Sequence, residues 1–377
     1  MRDSTTYVGL DVHKKKIVGA TLYPGESTPE IWTVANEKAL VQRMIRRIGR
    51  RAPGLLACCY EAGSCGFTVQ RWVRALGEVC VVIAPSMTPR RPGDRVRTDR
   101  RDARKLVEYF RWGMLNEVEP PTREEESVRA LTRCREQVRS DLTRCRHRLT
   151  KFLDQRAKVY RAGSHWTSRH RQWLRRVELE QEADRRVLEE YLLAVEQLEE
   201  RRKHLEEEIE AISRRAPYAK AVARIRCFRG FETVSAMVVV SELYAFMRFL
   251  HPRSLMAFLG LVPSESSSGD RRKQGGVTKM GNRHVRRILI EAAHHYRFPP
   301  RLGEKLKKRR SGQPPDALAW ADKAMGRLHS RYRKLRRMGK HHNVAVAAIA
   351  RELVGFLWAT LQGTLPEAVD LREGGKA

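Results

Sequence analysis

The spacing of apolar positions changes character along the chain. From Tyr7 to Val12 and from Ile17 to Leu22, short apolar runs broken by small residues predict a β-hairpin that opens a sheet. Runs at Leu55 to Tyr60 and Val79 to Ala84 are short and β-branched or Cys-rich, and the stretches between, Glu37 to Arg50 and Gly66 to Leu76, carry helical spacing. Strands alternating with helices predict an α/β domain. It is expected to end near Pro120-Pro121, where two consecutive prolines interrupt any helix.

A longer period follows. With Val128 at position a of a heptad, the a positions are Val128, Arg135, Leu142, Leu149 and Arg156, and the d positions are Leu131, Val138, Cys145, Phe152 and Val159. After a break near Gly163, Leu188, Val195, Arg202 and Ile209 fall at a, with Tyr191, Leu198, Leu205 and Ile212 at d. Two such seams predict a coiled coil, either antiparallel within one chain or between chains. Pro217 closes this region, and Tyr218 to Trp358 has mainly helical periodicity, including a helix, a Gly-containing turn and a second helix between Ile225 and Leu243. Such a hairpin either presents backbone amides to phosphates or is ordinary helical packing. The expected architecture is therefore α/β plus α: a domain over 1–120, a coiled-coil region over 121–215, a mainly helical domain over 216–362 and a polar tail over 363–377.

Charge narrows the function. Lys plus Arg number 75 against 44 Asp plus Glu in 377 residues, a net charge of +31. An excess of this size, rich in arginine and clustered, points to a polyanionic partner, nucleic acid above all. Seven cysteines form no C-x-x-C pair, which argues against a zinc ribbon or a disulfide framework, so reduced and mostly buried thiols are expected. The longest apolar stretches, such as Ala236 to Val240 and Val344 to Ala350, are shorter than the roughly 20 residues that cross a bilayer, and no membrane partner is expected. MRDSTTYVGLD has no apolar leader core, so a cytoplasmic, nucleoid-associated protein is expected.

Four carboxylates stand out by position. Asp11 lies within the first apolar strand, Glu61 ends the strand Cys58-Cys59-Tyr60-Glu61, and Asp99 and Asp102 open a helix three residues apart, on one side. A carboxylate at a buried strand end is costly unless a cation or hydrogen bond compensates it. Hard oxygen donors without His or Cys spacing favour Mg²⁺ or Mn²⁺ over zinc, the ions that phosphoryl transfer employs. On spacing alone, Asp99 and Asp102 are better explained as capping groups and partners of neighbouring arginines.

A second constellation is the serine loop Gly260-Leu261-Val262-Pro263-Ser264-Glu265-Ser266-Ser267-Ser268-Gly269-Asp270. A stretch with seven Lys or Arg and no acid, Arg271 to Arg287, follows it. Gly275-Gly276 and Lys279-Met280-Gly281-Asn282-Arg283 continue a glycine-and-basic pattern suited to gripping a phosphate backbone, although serine–glycine loops are also common linkers. His251 and His284 are the histidines nearest in sequence and are expected to face solvent or phosphate, not to form an acyl-transfer triad. Arg297 to Lys340 holds fifteen Lys or Arg, with Trp320 expected in the core and Tyr332, between Arg331 and Arg333, expected at nucleic acid.

Taken together, Tyr7-Val8-Gly9-Leu10-Asp11-Val12-His13-Lys14, Tyr60-Glu61-Ala62-Gly63, Thr98-Asp99-Arg100-Arg101-Asp102-Ala103-Arg104, and Gly260 to Glu265 with Ser268-Gly269 resemble the DEDD-type insertion-sequence transposases. That group includes bridge-RNA-guided recombinases and Piv-type DNA invertases. The motifs occur in order over most of the chain, with one mild departure, Glu61-Ala62-Gly63-Ser64, where the family usually has Glu-Ala-Thr-Gly or Glu-Ala-Gly. The resemblance implies a ribonuclease-H-like (RuvC-like) N-terminal domain, a coiled-coil linker used for homo-oligomerisation and a helical C-terminal transposase domain. It implies that Asp11, Glu61, Asp99 and Asp102 bind Mg²⁺, with Mn²⁺ as the alternative. Ser268, or its neighbour Ser267, is implied as the nucleophile that joins DNA covalently. The implied partners are element-end and target DNA and a structured guide RNA. Two rival readings stay open: a metal-dependent nuclease or resolvase that uses water, and a non-enzymatic coiled-coil protein that binds nucleic acid.

Overall fold

The computed structural model describes residues 4–89, 98–268 and 271–363. The Gly269-Asp270 end of the serine motif and the polar tail from residue 364 onward lie outside the described residues. The chain divides into two compact units, Met1–Pro121 and Thr122–Ala377.

The first unit runs β1 (Thr6–Val12), β2 (Lys16–Leu22), β3 (Glu30–Ala35), α1 (Lys38–Arg51), β4 (Leu56–Glu61), α2 (Thr68–Arg74), β5 (Val79–Ile83), α3 (Asp99–Arg111) and β6 (Glu117–Val118). Its six strands are ordered β3-β2-β1-β4-β5-β6. β1, β4 and β5 are parallel, and β2, β3 and β6 join antiparallel to their neighbours. The anticipated α/β character is present.

Alternation along the strands sorts residues between two faces. Val8, Leu10, Cys58 and Tyr60 pack with Val41, Ile45 and Ile48 of α1 and Val69 and Val73 of α2. On the other face Val18, Ala20 and Leu22 meet Ala103 and Val107 of α3, and Cys59 and Ile83 meet Leu106. Gly9 belongs to this second face. A Cβ there would come within 2.5 Å of the Val107 amide nitrogen and 2.7 Å of the Ala103 carbonyl oxygen, so α3 lies directly on the β1 backbone. β3 and β6 were not anticipated: β3 is half-exposed and so lacks a clean apolar run, and β6 has only two residues.

The second unit contains α4 (Arg123–Asp154), α5 (Ser168–Leu174), α6 (Glu182–Ser213), α7 (Tyr218–Arg226), α8 (Thr233–Leu243), α9 (Pro252–Phe258), β7 (Pro263–Ser268), β8 (Arg271–Val277), α10 (Arg283–Ala293), α11 (Glu304–Arg310), α12 (Pro315–Arg337) and α13 (His342–Gln362). Directly after the two prolines, Thr122 and Glu125 form a capping box that starts α4: the Thr122 amide donates to Glu125 Oε2 at 2.8 Å and the Glu125 amide to Thr122 Oγ1 at 3.1 Å.

α4 and α6 pair antiparallel within the chain, since Arg135 meets Glu206, Arg146 meets Glu199 and Arg156 meets Asp184. Val128, Leu142, Cys145, Leu149 and Phe152 of the first heptad and Leu188, Val195 and Ile209 of the second are buried. Two of the a-position arginines are thus ion-paired across the hairpin. Val159 lies beyond the end of α4 and is exposed. Val128 and Ile209 share one apolar cluster with Tyr218, Phe228, Trp320 and Phe356, so the helical hairpin and the C-terminal helices have a common core.

α13 is long and apolar enough to cross a membrane by length and composition, which the sequence reading, attending to shorter apolar runs, did not anticipate. Its residues Val346, Ile349, Leu353, Val354, Phe356 and Leu357 are packed in that common core.

Candidate active site

The register of the parallel pair, in which Leu10 faces Tyr60, leaves Asp11 and Glu61 at the next step along neighbouring strands. By alternation both belong to the face that α3 covers. Thr98 caps α3, its side chain accepting from the Arg101 amide, and Asp99 and Asp102 occupy the first turn. Because Gly9 lets α3 rest on β1, the first turn of α3 reaches the end of that strand.

The structure brings Asp11 and Asp99 together with His13. His13 Nε2 lies 3.0 Å from Asp11 Oδ2 and 3.5 Å from Asp99 Oδ1, and Lys16 Nζ lies 2.6 Å from Asp99 Oδ2. Among the described residues, Asp99 is therefore paired with Lys16 of the β1–β2 hairpin. Glu61 is engaged separately: Thr88 Oγ1 donates to its Oε1 at 2.7 Å. Asp102 acts on Asp11 through its charge.

The electrostatics suit a cation. Burial raises the Asp11 pKa, His13 lowers it, and the charges of Asp99 and Asp102 raise it further. The bond from Lys16 holds the Asp99 carboxyl below the usual range. Among the described residues, one ligand atom each from Asp11, His13 and Asp99 lies within 4.8 Å of the others, a spacing one divalent ion spans. A half-buried carboxylate repelled by two more acids is stabilised by such an ion, so the residues present fit one. Sequence reasoning missed His13, Lys16 and Thr88. For His13 the signal was its place two residues beyond Asp11, which continues the strand alternation.

In the second unit the serine motif is an antiparallel hairpin and not a loop: Ser268 pairs with Arg271, Ser267 with Arg272 and Glu265 with Gln274. Its strands are too polar to announce themselves. Gly275 leaves room for the Ser264 side chain, whose Oγ donates to the Gly276 carbonyl at 3.2 Å.

Within the glycine-and-basic stretch that follows, Gly281 serves packing and Asn282 caps a helix. Gly281, with φ +96°, sits against the Phe258 carbonyl, and Gly260, with φ +63°, against the Met280 backbone, both too closely for a Cβ. Asn282 is the cap of α10, its Oδ1 accepting from the Val285 amide at 3.0 Å. Its Nδ2 donates to Glu242 Oε2 at 2.7 Å, and Arg133 grips Glu242 with Nε at 2.6 Å and Nη2 at 2.8 Å. Glu242 is buried, and these bonds outweigh burial to lower its pKa.

Three further expectations meet the structure here. His284 does not face solvent or phosphate: its Nδ1 lies 2.7 Å from Glu136 Oε2, in a network completed by Arg287, because α10 packs against α4. Tyr332 turns inward, its hydroxyl 2.8 Å from His342 Nδ1. Trp320 is fully buried, and all seven cysteines are free, five of them buried.

A mixed sheet with Asp11 at a strand end beside Asp99 of α3, in a chain of net charge +31, points to a nucleic-acid-processing class of protein. Sequence comparison makes the class specific. A family profile of DEDD transposases of the IS110 group matches residues 8–157, and the profile described as "Transposase IS116/IS110/IS902 family" matches residues 222–306. A Sinorhizobium fredii protein named "Putative transposase y4qE" is 36% identical over 94% of this chain and 87% of its own. The transposase for insertion sequence element IS1533 of Leptospira borgpetersenii is 33% identical over 87% of this chain and 96% of its own. The chain belongs to the IS110 family of DEDD insertion-sequence transposases. Membership implies a DNA-cleaving and recombining enzyme with a ribonuclease-H-like DEDD domain and a divalent metal.

Proposed function

We propose that the chain is the transposase of an insertion sequence that cuts and rejoins DNA with Ser268 as nucleophile. In this reading Asp11, Glu61, Asp99 and Asp102 hold Mg²⁺, or Mn²⁺ in its place, and a structured noncoding RNA directs the enzyme to its DNA. It works in the cytoplasm, at the nucleoid, as a homo-oligomer. Because α4 and α6 fill their apolar seam with each other, oligomerisation through the helical hairpin uses its outer faces.

The observation that supports this reading is the meeting of Asp11 and Asp99, from elements far apart in sequence, at one strand end. Bound there, the divalent ion supplies charge that lowers the pKa of a hydroxyl and stabilises a leaving oxygen. The chain's own residues do the rest. Ser268 Oγ attacks phosphorus in line, loses its proton, and displaces one strand end as a hydroxyl. The phosphoserine keeps the energy of the broken diester, so rejoining needs no high-energy cofactor. Arg271 and Arg272, the register partners of Ser268 and Ser267, place basic residues on the paired strand. The Lys and Arg between Arg297 and Lys340 bind phosphate without sequence choice.

The test is incubation of the protein with Mg²⁺, RNA from the flanking element and labelled element-end DNA, followed by a denaturing gel. A covalent protein–DNA adduct, absent in Ser268→Ala and in Asp11→Ala, is the expected result. Cleavage without an adduct that persists in Ser268→Ala means a nuclease that uses water. Metal-independent binding without cleavage means a non-enzymatic binding protein.

A further inference from the structure

The acid cluster contains a donor of a different chemistry. His13 is held by its backbone: its amide donates to the Lys16 carbonyl at 2.9 Å, and Asn36 Nδ2 donates to its carbonyl at 2.9 Å. The ring is aimed between two carboxylates, with Nε2 at 3.0 Å from Asp11 Oδ2 and 3.5 Å from Asp99 Oδ1. Donor atoms on one small divalent ion lie about 3.0 Å apart or somewhat more, and the two spacings from Nε2, with all three ligand atoms within 4.8 Å of one another, are of that order.

Charge neutralisation alone does not require the histidine at Asp99, because Lys16 already pairs with the other oxygen, Oδ2 at 2.6 Å. Glu61, bonded to Thr88, is not part of this close group. A bound cation would take the place of the proton that Nε2 shares with Asp11 Oδ2, and an imidazole nitrogen so bound changes what the site prefers. Carboxylates alone suit Mg²⁺, whereas a nitrogen donor favours a transition-metal ion, Mn²⁺ included, over Mg²⁺.

We propose that His13 is a metal ligand, forming with Asp11 and Asp99 a mixed nitrogen and oxygen triad that binds Mn²⁺ more tightly than Mg²⁺. The proposal rests on the reading that the acid cluster binds a divalent cation, and the experiment separates the two.

Full-length protein is titrated with Mn²⁺, free Mn²⁺ is followed by electron paramagnetic resonance, and Mg²⁺ is added in competition. Pulsed measurements on the bound ion then look for hyperfine coupling to an imidazole nitrogen. The expected result is a nitrogen coupling in the wild type that disappears in His13→Ala. Mn²⁺ affinity should fall roughly tenfold to a hundredfold, the range that loss of even an outer-shell partner produces, with a smaller fall for Mg²⁺. The His13 side chain is 48% exposed, and the wild-type spectrum serves as test on its own should the variant misfold. Bound Mn²⁺ without nitrogen coupling, or with coupling that survives His13→Ala, overturns the assignment while leaving the acid cluster as a cation site. Mn²⁺ binding that is unchanged in both Asp11→Asn and Asp99→Asn overturns the cluster reading itself, and His13 with it.

Discussion

Asp11 in the first unit and Glu242 in the second are both carboxylates withdrawn from water, yet their surroundings act in opposite directions. Around Glu242, a bidentate arginine and an asparagine amide more than offset burial, and the pKa falls. Around Asp11, His13 offsets burial only in part, two further acids add repulsion, and the pKa rises. A satisfied buried charge holds structure in place. A carboxylate left under repulsion at a strand end suits a cationic ligand, the role proposed for Asp11.

Breaking the satisfied side should have the largest effect on stability. Glu242→Ala opens a cavity and takes the shared acceptor from Arg133 and from the Asn282 amide, and we expect a loss of about 2–5 kcal/mol in urea unfolding. The sign of the pH dependence follows from the lowered pKa. Its contribution is fully present above the unfolded carboxyl value of about 4.3 and is lost as pH falls through the folded value. Urea midpoints of the wild type should therefore drop in acid, and Glu242→Gln should flatten that drop.

The next largest effect tests the geometry that assembles the other side. Gly9→Ala forces a methyl group against the α3 backbone, with an expected cost of about 1–3 kcal/mol. Calorimetric titration should show Mn²⁺ affinity falling with it, because the first turn of α3 is displaced from Asp11. Smallest of all is the stability change for Asp11→Asn, which removes repulsion and a histidine partner together and should stay within about 1 kcal/mol. The same variant should lose DNA cleavage altogether. An Asp11→Asn protein that unfolds as readily as Glu242→Ala would erase the contrast.

The parts of the fold that the sequence disclosed are those where burial is one-sided and periodic. β1, β2, β4 and β5 carry apolar runs, and the heptads of α4 and α6 mark their buried residues. β7 and β8 could not be read this way, since Pro263 to Ser268 and Arg271 to Val277 are polar sequences with no alternation of apolar residues to impose a period. For the site, Asp11 was legible as an acid inside an apolar strand. Glu242 was passed over because a single acid near the end of an apolar helix resembles a solvated terminus. Asn282 and Gly281 looked like phosphate-gripping residues because capping and close packing use the same residue types. Which of these roles applies depends on contacts with Phe258 and Glu242, far away in sequence.

The central place of α13 bears on how the protein comes into being. A ribosome releases residues 1–121 early, and the contacts that close the sheet are then all available, so the first unit can fold while synthesis continues. The common core of the second unit requires Val346 to Leu357, so it stays open until nearly the whole described chain has emerged. A message cut short before α13 would leave the first unit able to form its acid cluster while the helices around the serine hairpin lacked a large part of the core they pack against.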